Sequence, residues 1–355
     1  MSGYELVERG REYRDLYLQM TRAVFSEDAA RRKMLAWDWL FDNPHSVEGN
    51  RTRLFVMERD GGPAAVSVGL PGRFALGGRT YASLSPMTTM AYPEHTGEGL
   101  RILRNYFRRR EGLLTWGLTN SLRLNKVCVR MGASQSPPRT LRRHVIRPGS
   151  AVRAKRTLPR SAAAALDAVG MPILRAGALR SPRIRTGERI VAVERFGEEF
   201  DAAWGDAVGR QACMQARDRA FLNWRYVDCP VETYARRALY RDGTLVGFAA
   251  LCLQAEAGVA VGRVTDIFLY GGSERDFALL LADANRFFRR SGCVYSEVVF
   301  GRSTALDAAA QRTGFSIRKD QRPAVMLLTQ DGGHGEVEAH LRDLHMCRGD
   351  QDEDY

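Results

Sequence analysis

Residues 90–101 read Met-Ala-Tyr-Pro-Glu-His-Thr-Gly-Glu-Gly-Leu-Arg. A strand that enters a proline turn, then a glycine-bearing loop, then a helix leaves main-chain N–H groups unpaired at the positive end of that helix. Such an end suits an anion, pyrophosphate for instance, and Gly97 and Gly99 lack the Cβ that would hold it off. Arg101 falls in the first turn, where it meets phosphate or simply faces solvent. His95 and Glu94 flank the loop and are candidates to accept a proton, directly or through water. A solvated loop pair is the plainer reading of both. Ser85, Thr88 and Thr89 lie on the strand that would carry the reacting centre, and Thr89 is the candidate among them. Cys128 is a candidate proton donor, although a structural cysteine is the commoner role.

The elements that must position these groups follow from pattern. The region up to about residue 45 reads as helical. Strands are expected at 53–59 and 63–69 around the turn Asp60-Gly61-Gly62, with two more across 72–92. Apolar residues at 100, 103 and 107 give residues 98–111 one buried helical face. A strand at 113–118 and a helix at 121–131 complete the unit.

The unit then recurs. Arg59-Asp60-Gly61 returns as Arg241-Asp242-Gly243, Phe107-x-Arg109-Arg110-x-Gly112 as Phe287-x-Arg289-Arg290-x-Gly292, and Arg130-x-Gly132-x-Ser134 as Arg312-x-Gly314-x-Ser316. Trp39 before Pro44 is matched more loosely by Trp224 before Pro230. Repeats in one order at nearly one spacing indicate duplication of a whole domain, since the period is too long for a solenoid. The second copy is expected to place a hairpin at 235–253, strands at 261–270 and 294–300, helices at 276–291 and 303–313, and a last strand at 322–329. The boundaries are 1–136 for the first domain, 137–189 for a basic linker with a helix near 160–178, 190–330 for the second domain and 331–355 for an extension ending in an acidic tail.

Here the chain resembles the Gcn5-related N-acetyltransferase (GNAT) superfamily, whose coenzyme A loop is matched by Ala91, Pro93, Thr96, Gly97, Gly99 and Arg101. The W-x-W and N-W-R-Y segments and the duplicated layout look like the tandem bacterial members. The resemblance implies mixed α/β (α+β) domains, each a mostly antiparallel sheet with flanking helices. It implies acetyl-CoA or another acyl-CoA held by Met90, Ala91, Tyr92, Thr96, Gly97, Glu98, Gly99, Leu100, Arg101 and Asn120. A main-chain N–H of the strand at 88–92 would meet the thioester. Three departures stand out: Thr96 replaces the usual Arg or Gln, Arg101 replaces a small residue, and the family's frequent tyrosine acid is Cys128 in one copy and Ala310 in the other. The second loop, residues 271–276, has lost the glycine pattern and gained Glu274 and Asp276.

The acceptor would lie in the cleft between the halves, with Asp38, Trp39, Trp224 and Asp266 as candidate contacts. For the tryptophans core packing is the commoner role. Asp266, inside an apolar strand, needs either a ligand or an ion pair, with Arg225 or Arg263 as the partners considered. No metal is expected, because His334, His340, His345 and Cys347 fit no familiar ligand spacing.

The formal charge of the chain is +12. Residues 139–189 hold thirteen Lys/Arg against two Asp/Glu, so nearly all the excess lies between the copies. It would be a solvated segment, or a dock for an acidic acyl carrier protein or for the phosphates of the cofactor. Nucleic acid is disfavoured, since the stretch carries no aromatic residue for base stacking. Six cysteines without framework spacing suggest reduced thiols in the cytoplasm, and neither a signal sequence nor a membrane span is expected. The expected activity is direct acyl transfer from a CoA thioester to a small-molecule amine. The alternatives are a Fem-like aminoacyl transferase, a carrier-protein-dependent acyltransferase, or a non-catalytic binding protein.

Overall fold

Two of the repeated motifs are explained by backbone sign alone. Asp60 and Gly61 have φ of 51° and 79°, and Asp242 and Gly243 have 49° and 82°. Positive φ at both central residues makes a type I′ hairpin turn, whose twist matches that of the flanking strands. Gly132 (φ 98°) and Gly314 (φ 87°) end equivalent helices in the left-handed region, where a side chain would be strained.

The computed structural model describes residues 3–108, 114–118, 121–154, 158–178, 182–210, 213–318, 325–328 and 334–350. The first half runs β1 (Tyr4–Arg9), α1 (Arg14–Val24), α2 (Glu27–Phe41), β2 (Arg53–Arg59), β3 (Gly62–Leu76), β4 (Arg79–Ala91), α3 (Glu98–Arg108), β5 (Leu114–Leu118), α4 (Leu122–Arg130) and β6 (Ser134–Gln135). Then come β7 (Thr140–Val145), α5 (Pro148–Arg153) and α6 (Arg160–Ala178). The second half has β8 (Glu188–Ala192), α7 (Glu198–Val208), β9 (Cys213–Gln215), α8 (Arg219–Tyr226), β10 (Tyr234–Arg241), β11 (Thr244–Glu256), β12 (Val259–Leu269), α9 (Glu274–Arg290), β13 (Tyr295–Phe300), α10 (Thr304–Arg312) and β14 (Ser316–Arg318). β15 (Val325–Leu328) and α11 (His334–Leu341) close the described chain. Among the described residues no helix is long and apolar enough to cross a membrane.

The sheets have the order β1-β2-β3-β4-β5-β15-β6, with β9 added to β3, and β14-β7-β13-β12-β11-β10-β8. Read from opposite ends, the two orders are the same. Each sheet takes its strand next to the last from the other half. β15 lies between β5 and β6, and β7 between β13 and β14. Sequence placed the strand at 322–329 in the second domain and put residues 140–145 in the linker. Strand patterning says which face of a segment is buried but not which sheet receives it. Arg142 of β7 is fixed by a two-pronged ion pair to Asp307 of α10 (2.6 and 2.8 Å), and Arg143 is bonded to Glu297 of β13. Part of the basic segment is therefore structural.

Other departures are local. The N-terminal region opens with β1, paired to β2, where a helix was expected. β3 is one strand of fifteen residues where a break near residue 70 was expected. Helices α7 and α8 had not been anticipated.

One core joins the halves. Tyr17, Trp37 and Leu40 from α1 and α2 meet Phe200, Trp204 and Phe221 from α7 and α8, with Val66 of one sheet and Phe248 of the other in the same cluster. At its centre the two repeated tryptophans clasp each other. Trp39 Nε1 donates to the Trp224 carbonyl (2.7 Å), and Trp224 Nε1 donates to the Trp39 carbonyl (2.8 Å). Their rings stack at 4.2 Å with 8° between planes. Each indole thus buries its apolar body and satisfies its N–H with the partner's backbone.

The clasp predicts strong coupling. In urea unfolding of Trp39→Phe, Trp224→Phe and the double variant, the two losses should be non-additive by about 1 kcal/mol or more. Additive losses would contradict a reciprocal pair.

Candidate active site

Both halves contain a place where parallel strands part. β4 pairs with β5 only at Ser83–Leu114 and Leu84–Thr115, and β12 pairs with β13 only from Val261–Tyr295 to Val264–Val298. Beyond these points a sheet that stays closed on its other side opens into a V. In each half the strand that diverges is bulged where it leaves. The register of β4 against β3 slips between Val66 and Val68, and that of β12 against β11 slips between Ala250 and Leu251. Thr88, at the first bulge, has φ of +44°, a costly conformation for a β-branched residue. It turns the main chain of residues 88–91 relative to the ladder.

The first V leads upward to the glycine loop. Residues 93–95 form a 3₁₀ turn, and α3 starts at Glu98. A Cβ on Gly97 would meet nothing within 4 Å, whereas one on Gly99 would lie 3.5 Å from Thr89 Cγ2 and 3.9 Å from Ala91 Cβ. Gly97 therefore faces open space at the helix end, and Gly99 marks where α3 passes over β4, with room for a methyl group and little more. Arg101 pairs with the buried Glu98 (3.3 Å). The guanidiniums of Arg101 and Arg59 both stack over Tyr4, each 5.3 Å from its centroid, and Tyr4 Oη is 3.1 Å from His95 Nδ1. Two cations and a histidine thus gather around one aromatic ring beside the loop. Tyr4 was not singled out by sequence, because β1 had been read as helix, and Arg59 had been noted only as part of the repeated turn.

At the foot of the first V is a narrow cavity of about 40 Å³, lined by Ser85, Pro86, Met87 and Trp116 from the first sheet and by Gln215, Phe221, Trp224, Arg225, Gly349 and Asp350 from the second half and the tail. Trp224 is the one expected acceptor contact that lines it. Asp38, Trp39 and Trp224 instead share a separate surface cleft of about 520 Å³ with Arg195 and Asp228. Thr89 Oγ1 is 2.9 Å from Ser67 Oγ, behind the strand. Met90 is buried against Thr21, whose hydroxyl lies 3.8 Å from its sulfur. The Tyr92 amide bonds the Ala64 carbonyl (3.1 Å), Thr96 Oγ1 bonds the Pro93 carbonyl (3.3 Å), and Leu100 is exposed. Cys128 packs with Leu103 and Ala133 behind α3, and burial pushes its thiol up to about 11. Asn120 lies outside the described residues.

The second V is filled by the chain's own tail. Cys347 bridges to Phe300 at the end of β13, and its sulfur lies 3.7 Å from the Ile267 carbonyl of β12. Gly349 passes so close that a Cβ would meet Tyr226 Oη at 2.0 Å. Beneath the tail, fully buried Arg217 holds Asp266 on one side (2.7 Å) and Asp350 on the other (2.7 Å). Tyr226 Oη donates to Asp266 (2.8 Å), and Arg225 donates to the Gly349 carbonyl (3.0 Å). Asp266 does have an ion-pair partner, but it is Arg217 and neither Arg225 nor Arg263, which bond elsewhere. With no exposed surface it contacts this network and not the cleft between the halves. Asp266, His345 and Cys347 bring three donor atoms within 4.8 Å of one another, yet the Arg217 cation already supplies the positive charge their carboxylate requires. The two acids gained by the second loop are also engaged: Asp276 caps its own helix and pairs with Arg241, and Glu274 pairs with Arg312 (3.4 Å).

No family model matches the sequence, and no curated protein matches it. Solved structures match its shape. A GCN5-related N-acetyltransferase from Anabaena variabilis superposes with a TM-score of 0.60 at 11% identity, over 91% of this chain and 72% of that one. The tandem GNAT protein from the clavulanic acid biosynthesis pathway gives 0.54 at 12%, over 92% and 98%. N-myristoyltransferase from Saccharomyces cerevisiae, with bound myristoyl-CoA, gives 0.58 at 10%, over 92% and 83%. The chain has the GNAT fold, in tandem. Of its two GNAT splits, one is open above a small cavity and the other is closed by residues 344–350.

The plug has a pH signature. Burial, then the nearby Arg217, pushes the pKa of His345 down from 6.5 to about 4. Between those values the unfolded chain binds the extra proton, so stability present above pH 6.5 is lost as pH falls toward 4. His345→Gln should remove on the order of 2 kcal/mol of the difference between urea stabilities at pH 7 and pH 4.5. A variant whose pH slope equals that of the unaltered chain would contradict this.

Proposed function

We propose that the protein is an N-acyltransferase that takes an acyl group from a CoA thioester in the first split and delivers it to an amine entering from the second half. The observation that carries this reading is the difference between the splits. In the first the gap between β4 and β5 stays open toward the loop at 96–101, whereas in the second residues 344–350 lie between β12 and β13, although the loop Gly271-Gly272-Ser273 still borders a cavity of about 730 Å³. Myristoyl-CoA bound to one structural neighbour supports an acyl-CoA as donor.

The residues present fit such a donor. Main-chain N–H groups of residues 97–100 at the start of α3 would receive the pyrophosphate, with Arg59 and Arg101 at hand for further phosphate charge. Gly97 leaves room for the approach. When bound, an acyl-CoA supplies an activated carbonyl; the diverging main chain at 88–91 would donate to its oxygen. The foot of the split, walled by Trp116, Phe221 and Trp224, keeps water from that carbonyl. Its volume of about 40 Å³ admits the reacting end of an acceptor and little more, which favours a primary amine on a slim stem. With His95 on the far side of α3's start, bonded to Tyr4, proton removal through water is the route the geometry offers.

Calorimetric titration with acetyl-CoA tests the donor site. Gly99→Trp would drive a ring into Thr89 and Ala91, and it should weaken binding at least about thirtyfold, some 2 kcal/mol, with the circular dichroism spectrum unchanged. Equal binding by the variant would remove the donor from this loop. If the unaltered chain shows no binding up to ~1 mM, free CoA thioesters are excluded as donors.

A further inference from the structure

The hairpin formed by α5 and α6 has no part in either split, and its surface is unusual for a water-facing element. α6 lies on α5 through small residues. A Cβ on Gly149 would collide with the Ala163 carbonyl, and one on Gly170 with Pro148. Asp167 of α6 caps α5, accepting from the amides of Gly149 (2.7 Å) and Ser150 (3.2 Å) and from the Ser150 hydroxyl (2.6 Å). That leaves an outward face of Ala164, Ala165, Leu166, Ala168, Val169 and Pro172, all exposed. Leu166 is 48% exposed and Val169 67%. A surface helix of a globular protein normally turns charged residues outward; here the only charge between Arg160 and Arg175 is Asp167, already engaged.

Charge is present, but it stands at the ends and has one sign. With Arg142 and Arg143 of β7 engaged by Asp307 and Glu297, the remaining excess falls on the flanks. Arg153 and Arg160 stand at one end of α6 and Arg183 and Arg185 follow the other, all exposed. Val152 and Ile184 are exposed among them. The nearest acid on the far flank, Glu188, is held well below its usual range, to about 2, chiefly by Arg275.

We infer that the α5–α6 hairpin docks the protein on an anionic membrane surface, with the apolar face of α6 at the boundary between headgroups and acyl chains and the flanking arginines on lipid phosphates. An apolar helical face bounded at both ends by cations, with no unpaired acid among its described residues, is complementary to the negative headgroup layer and the hydrocarbon beneath it. This docking does not depend on the acyl-transfer reading.

Co-sedimentation of the full chain with lipid vesicles tests it. Vesicles of phosphatidylcholine doped with phosphatidylglycerol should bind the protein, and vesicles of phosphatidylcholine alone should not. Binding should fall steeply as salt is raised. Leu166→Glu with Val169→Glu should weaken binding about tenfold or more, and Arg153→Ser with Arg160→Ser about fivefold for each cation removed. Both pairs are exposed, and unchanged melting curves would show the fold intact. No binding to the doped vesicles at low salt would overturn the inference. So would binding unaffected by the glutamate pair, or a hairpin-dependent complex with an acidic acyl carrier protein and none with vesicles.

Discussion

Each sheet is incomplete until the other half supplies a strand, and that exchange constrains everything built on it. Without β15 the edges of β5 and β6 would stand unpaired, and without β7 so would those of β13 and β14. The exchange places the two sheets around a common core and brings α2 against α8, where Trp39 and Trp224 bond to each other's carbonyls. β5 pairs with β15 on one side and parts from β4 on the other, and β13 likewise pairs with β7 and parts from β12. The two V-shaped openings are thus related by the pseudo-symmetry of the duplication.

What breaks that symmetry is the segment after α11. Residues 344–350 run into the second opening, and the bonds there are too many to be incidental: Cys347 to both strands, Gly349 to Arg225, Asp350 to Arg217. A buried arginine between two carboxylates adds little net stability over an apolar filling, but losing any one member leaves an unpaired buried charge. The network therefore fixes the tail in one position. From there Asp350 and Gly349 reach the foot of the first opening. The same residues that close one opening help to line the other, so both halves contribute to the first cavity.

Much of this was legible in the sequence, and the failures have physical causes. The turn glycines declared themselves, because Asp-Gly with positive φ has few substitutes. So did the strands on either side of them, the loop at 96–101 and the duplication itself. β1 was missed because Glu5, Glu8 and Arg9 interrupt its few apolar residues, Tyr4, Leu6 and Val7, and with it went Tyr4 beside the loop. The destination of β7 and β15 was not legible, because strand amphipathicity records a face and not a partner. Asp266 was rightly flagged as a buried acid needing company. Its partner, Arg217, belongs to a segment without pattern between β9 and α8, and nothing in the tail announced that Asp350 would share it.

The account rests on the first opening being the one that receives the donor. The direct measurement is a crystal structure of the protein with acetyl-CoA. We expect one molecule per chain, its phosphates at the start of α3 and its acyl carbon between β4 and β5 beside residues 88–91, with residues 344–350 still seated between β12 and β13. An acyl carbon between β12 and β13, with the tail displaced, would contradict the assignment.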